Sequence, residues 1–232
     1  MGAIMESIFS VVYLLIAGIL GHSMVSKAGE EDKQRKIFGI MTLILGAGDA
    51  FHLIPRIYGN LTGTMDEIYA ALGFGVLVTS ITMTIFYVML YHYWCGRYSK
   101  PLKSPLTVLV YALSIIRIAL CLFPQNNWLS AYSPVEWGIY RNIPFVIFGA
   151  IMVYLFFLEA KKAGDTNFKW AWLAVLLSFL FYMPVVLWAS INPMIGMLML
   201  PKTVCYVWLV YMGYRDKTVE RSDQKQSQEF ST

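Results

Sequence analysis

Apolar residues run along this chain in blocks, not in the short alternations of a soluble sheet or the one-sided stripes of a soluble helix. Seven blocks of roughly 20 residues follow one another, about the length a helix needs to cross 30 Å of hydrocarbon. The pattern predicts helical spans over about 7–24, 38–57, 65–93, 105–123, 134–159, 168–190 and 193–214. Polar start signals punctuate them. Thr64-x-x-Glu67 and Ser133-Pro134-x-Glu136 read as capping boxes before the third and fifth spans. Ser104-Pro105 and Asn192-Pro193 give a capping side chain followed by proline before the fourth and seventh. The fold class expected is all-α: a polytopic seven-helix membrane bundle over residues 1–214. A polar segment, 215–232, follows it and reads as a disordered cytoplasmic tail.

Composition agrees, with 58% hydrophobic and 14% charged residues, against about a quarter charged in soluble domains. The first block has no basic segment before it and no small-residue cleavage pattern after it, so it reads as a permanent helix. Basic residues fall on alternate connections: Lys27 to Lys36, Arg97 to Lys103, Lys161 to Lys169, and Arg215 onward. Fourteen of the 18 lie there, which predicts a cytoplasmic C-terminus and an N-terminus outside. The net charge of +4 is explained by that placement and gives no reason to expect nucleic acid. Tyr132, Trp128, Trp137, Trp94 and Tyr98 near span ends suit an interfacial aromatic belt. Asn60-Leu61-Thr62 matches a glycosylation sequon on an expected outer loop. The three cysteines are at no ligand spacing and read as small hydrophobes.

The remaining polar residues share a depth. At about 1.5 Å per residue, Asp49 and His52, Arg117, Tyr140 to Asn142, Tyr182 and Lys202 all fall roughly 8–14 Å below the outer ends of their spans. Asp49, His52 and Arg56 form an i, i+3, i+7 stripe on one helix face. Gly73 and Gly75 stand at the same level on the third span, where small residues let helices approach. Charge inside hydrocarbon costs at least about 2.5–3.5 kcal/mol, so these groups are expected to face one another or water. Asp49 is the one acid against Arg117, Arg141 and Lys202, a surplus of two positive charges, with Arg56 nearer the mouth. An ion pair of Asp49 with Lys202 or Arg117 is one expectation. The other is an outward-facing pocket formed by Asp49, His52, Arg56, Arg117, Tyr140, Arg141, Tyr182, Trp188 and Lys202.

Three functions fit such a layer. The first is a receptor, sensor or carrier for an anionic or amphiphilic small molecule or lipid, since arginine forks pair with anionic oxygens. The second is an intramembrane lipid-modifying enzyme using Asp49 and His52 as base and orienting group; no nucleophile motif accompanies them, and no catalytic residue is assigned. No metal site is expected either, because His22 and His92 lie at another depth from His52. The third rests on a resemblance. Seven spans with the N-terminus outside, a lysine midway down the seventh and "YMPVVLW" on the sixth are similar in outline to the microbial retinal proteins. That likeness implies Lys202 as Schiff-base lysine and Tyr182 and Trp188 in a ring pocket. The third span carries no acid where that family places its counterion, so Asp49 would have to substitute. Leu180 stands where that family usually has an aromatic. Retinal is thus a cofactor only in this alternative; the other two require none. The sequence assigns no oligomeric state.

Overall fold

The computed structural model describes residues 2–29, 32–65, 67–131 and 133–216. Seven helices pack in chain order: α1 Gly2–Lys27, α2 Lys33–Thr62, α3 Tyr69–Arg97, α4 Pro105–Leu122, α5 Val135–Lys162, α6 Ala171–Trp188 and α7 Met199–Tyr214. All seven are long and apolar enough to cross a membrane, α7 counted with the preceding turn, which fits a multi-pass membrane protein. Neighbours in sequence are neighbours in space, and α7 returns against α1 and α2.

The helix ends depart from the expected spans for local reasons. α1, α2 and α5 run on into polar sequence, because a helix need not stop where its apolar block stops. α3 starts at Tyr69 rather than 65: the Thr64 carbonyl accepts from Glu67 N–H in a turn, and the Thr64 hydroxyl pairs with Thr62 instead of capping. Ser133 donates to the Asn126 carbonyl, leaving Pro134 as the N-cap of α5 without a side-chain bond. α6 starts at Ala171 rather than 168, because the Asp165 carboxylate accepts from the N–H groups of Asn167 and Phe168 and holds them in a turn. Asn192 does cap, accepting from Met194 N–H, but it caps a 3₁₀ segment, Pro193–Leu198, ahead of α7. Ser104 accepts from Thr107 N–H at the start of α4, with Pro105 following. Asn60 lies in the last turns of α2 and not on a loop. Of the expected tail, 217–232 falls outside the described residues, as does Tyr132 of the aromatic belt.

Aromatic rings fill the core. Phe38, Phe86, Tyr87, Tyr91, Phe148, Phe156 and Phe168 are fully buried. The Tyr87 ring meets Phe145, Phe148 and Phe179 edge-on at 5.0, 5.8 and 5.7 Å, the arrangement a ring quadrupole favours. Small residues bring backbones close. Gly149 of α5 takes the Phe179 ring of α6, and Gly213 of α7 takes Phe38. Gly75 sits on the α2 backbone at Phe51 and His52, and Gly73 on the Trp128 carbonyl. Both glycines serve close packing.

A charged clamp closes the basic end. Arg97 at the end of α3 makes a two-pronged bond to Asp165, at 2.5 and 2.9 Å, and also pairs with Asp216 beyond α7. Its guanidinium lies 4.4 Å over the Phe168 ring. Tyr98 donates to Asp165 at 2.9 Å. Burial pushes the Asp165 carboxyl up. The Arg97 bonds, the Phe168 N–H and the Tyr98 hydroxyl outweigh it and hold the group below its ordinary value. Burial, then the Asp165 charge, pushes the Tyr98 phenol above its own. The clamp joins α3, the α5–α6 connection and α7.

Candidate functional site

At the opposite end, the starts of α1, α5 and α7 and the ends of α2 and α6 surround a cavity of about 520 Å³. Helical periodicity aims the lining residues. Glu6, Ser10 and Tyr13 succeed one another at i, i+4, i+7 on α1; Asp49, His52 and Arg56 form the stripe on α2; Met199, Lys202, Thr203 and Tyr206 share a face of α7. Arg141 and Tyr182 enter from α5 and α6. The α2 stripe therefore faces a single space, as its spacing demands.

Asp49 does not form the expected ion pair. Its carboxylate accepts a 2.6 Å hydrogen bond from the Tyr13 hydroxyl, and among the described residues no ion pair joins it to Lys202 or Arg117. A short O–H···O⁻ bond of this kind satisfies one oxygen of the part-buried carboxylate and leaves its charge in place. His52 Nδ1 lies 2.9 Å from the Thr79 hydroxyl, and that hydroxyl gives its single proton to the Gly48 carbonyl at 3.0 Å. Nδ1 must then be the donor, which leaves Nε2 as the acceptor of the neutral ring. Asp49 and His52 are thus engaged separately, each by another helix, and are not hydrogen-bonded to each other.

Glu6, outside the expected first span, is a second acid at the cavity and pairs with Arg56 at its mouth. Arg141 donates through Nη1 to Asn126 Oδ1 at 2.8 Å and stands 4.4 Å over the Trp128 ring. Asn126 is itself oriented, because its Nδ2 donates to the carbonyls of Leu120 and Phe123 at 2.8 and 2.9 Å. Tyr182 donates to Asn142 Oδ1 at 3.0 Å. Lys202, 8% exposed, makes no hydrogen bond or ion pair among the described residues. Its ammonium rests 4.6 Å from the Tyr182 ring centre and 5.6 Å from that of Tyr206.

Three expected members lie elsewhere. Arg117, 3% exposed, is packed 3.2 Å over the Phe145 ring and is not part of the lining. Its Nε and Nη1 are buried with no hydrogen-bond partner among the described residues. Tyr140 is half exposed and packs on Trp137. Trp188 is half exposed and outside the lining. With Arg117 outside and Glu6 inside, the cavity wall carries Arg56, Arg141 and Lys202 against Glu6 and Asp49. Fully ionised and counted with Arg56, it has a surplus of one positive charge, where the expected layer, counted without Arg56, had two.

Glu6, Tyr13, Asn126 and Trp128 had no place in the sequence-based site. Of these, Glu6 carried a signal, an acid at the edge of an apolar block. No known protein family, curated protein or solved structure matches this chain.

Proposed function

We propose that the protein is a membrane receptor, sensor or carrier, and that the cavity admits an anionic or amphiphilic small molecule or lipid. One observation carries the reading. Lys202 and Arg141 present two cationic groups to a partly apolar cavity in which Glu6 is already paired with Arg56, leaving the single carboxylate of Asp49 to face both of them. A buried cation without a counter-charge is costly, and a ligand anion supplies the missing partner. The basic connections opposite the cavity favour a cytoplasmic placement of that end, so the cavity opens to the outside of a plasma or cytoplasmic membrane.

The test is a ligand screen on the purified protein by native mass spectrometry and thermal shift, with carboxylates, phosphates and acidic lipids. Arg141→Gln keeps hydrogen-bonding capacity and removes the charge. Loss of a charge-assisted bond worth about 1.5–3 kcal/mol lowers affinity roughly ten- to hundredfold. A folded Arg141→Gln protein that binds acids as tightly as the parent would sink the proposal.

The enzyme alternative draws on one feature, the acceptor Nε2 of His52 at the cavity. Lipid turnover abolished by His52→Gln would favour it over binding alone. A visible absorption band in the purified protein, lost in Lys202→Met, would favour the retinal alternative.

A further inference from the structure

The cavity wall is divided by chemistry. Its α1–α2 side is mainly polar, with the charged and hydrogen-bonding groups of Glu6, Asp49, His52 and Arg56 beside Phe9 and Leu53, whereas its α6–α7 side presents an apolar strip of Val185, Val186, Ala189, Met199 and Leu200 between the hydroxyl groups of Tyr182, Ser190, Thr203 and Tyr206. Lys202 and Arg141 enter on α7 and α5, beside that apolar side. A small inorganic anion would satisfy the cations and leave the apolar surface wet. A neutral apolar molecule would do the reverse.

The single surplus positive charge sets the ligand's charge. One negative charge neutralises the wall, whereas a second would stand against Asp49 and Glu6 with no cation left for it. Volume sets the size. At about 30 Å³ for each water-sized group, 520 Å³ holds on the order of 17 such groups. A two-chain membrane lipid would leave most of its bulk outside the cavity mouth, and a short acid such as acetate leaves most of the space unfilled.

Building on the binding reading above, we propose that the ligand is a single-chain monoanionic amphiphile of about the size of a medium-chain carboxylate. Its head sits between Lys202 and Arg141, and its chain lies along Val185, Val186, Ala189, Met199 and Leu200.

The probe is decanoate carrying a terminal diazirine, photolysed on the full-length protein in nanodiscs, with labelled peptides mapped by mass spectrometry. Label is expected on the α6 segment 185–189 and around Met199 and Leu200. Unlabelled decanoate should compete for it, and decanol, decylammonium and decyl phosphate should compete at least tenfold more weakly. Lys202→Gln should weaken competition by decanoate ten- to hundredfold while leaving the weak competition by decanol unchanged. Val186→Asn, polar but uncharged, should reduce labelling by decanoate without altering any binding of acetate or inorganic phosphate.

The outcomes separate the two claims. Acetate or inorganic phosphate competing as well as decanoate would overturn the amphiphile and leave the anion pocket standing. Decyl phosphate competing better than decanoate would overturn the monoanion. Decanol matching decanoate, or label spread evenly over lipid-facing helices, would overturn both this proposal and the pocket.

Discussion

The Tyr13–Asp49 bond makes a quantitative prediction that runs against the ion pair expected from depth alone. Asp49→Asn leaves an amide oxygen to accept from Tyr13, so it converts a charge-assisted bond into a neutral one. With about 1.5–3 kcal/mol for the first and 0.5–1.5 for the second, the loss should be about 1–2 kcal/mol. Tyr13→Phe removes the bond from the part-buried carboxylate and should cost about 1.5–3 kcal/mol, the range for a bond to a charged group. Because one variant weakens and the other removes the same 2.6 Å contact, the double variant should fall short of their sum by about 1–2 kcal/mol. Lys202 makes no contact with Asp49 but lies within reach of its charge, so the matching cycle of Asp49→Asn with Lys202→Met should couple by about 1 kcal/mol or less, well below a contact ion pair. Unfolding of the detergent-solubilised protein, followed by tryptophan fluorescence against a denaturing detergent, measures all four corners of each cycle. A coupling of about 3–5 kcal/mol between Asp49 and Lys202, the size expected when a buried ion pair is broken, with none between Asp49 and Tyr13, would refute the reasoning.

Two further predictions concern packing and acid stability. Gly73→Ala places a methyl group on the Trp128 backbone carbonyl, which cannot swing aside, and should destabilise by about 1–3 kcal/mol; Gly18→Ala meets nothing within 4 Å and should be neutral or stabilising by up to about 1 kcal/mol. Equal effects of the two changes on the unfolding midpoint would contradict the packing. At the other end, Asp165 has a lowered folded-state pKa, so its clamp contributes fully above the ordinary aspartate value of about 3.9 and is lost as pH falls through its lower folded value. Asp165→Asn should therefore be less stable than the parent at neutral pH, with the gap narrowing below about pH 4; a gap that widens on acidification would show the sign to be wrong.

Height along a helix was readable from the sequence, and direction around it only in part. Counting residues at a fixed rise puts Tyr140 and Arg141 at one level, yet successive residues point about 100° apart, and only Arg141 reaches the cavity. The α2 stripe succeeded because three polar residues at i, i+3, i+7 fix a face as well as a height. Arg117 had no such companion on α4, and its Phe145 contact depends on how α4 meets α5. Tyr13 was invisible for a related reason: one tyrosine in an apolar run changes neither period nor hydropathy. Glu6 was missed because hydropathy marks where apolar sequence begins, whereas α1 begins earlier, at Gly2. The clamp of Arg97 was hidden by separation, since Asp165 and Asp216 lie 68 and 119 residues away.

Between Lys202 and Met212, α7 contains neither glycine nor proline, and each end of that stretch is tied to something. Lys202 stands at the cavity, while Gly213 is seated on Phe38 and Asp216 is held by Arg97. An α-helix of that composition resists stretching and bending over the roughly 15 Å from Lys202 to Met212. Above Lys202 the chain changes character, with Pro201 in the first turn and Gly196 within a 3₁₀ segment of weaker hydrogen-bond geometry. Mechanical compliance is therefore concentrated at the cavity rim and withheld from the shaft beneath it. A push on the lysine would travel down α7 as rotation or tilt of a stiff rod, and a tilt of about 5° over 15 Å would displace the far end by about 1.3 Å.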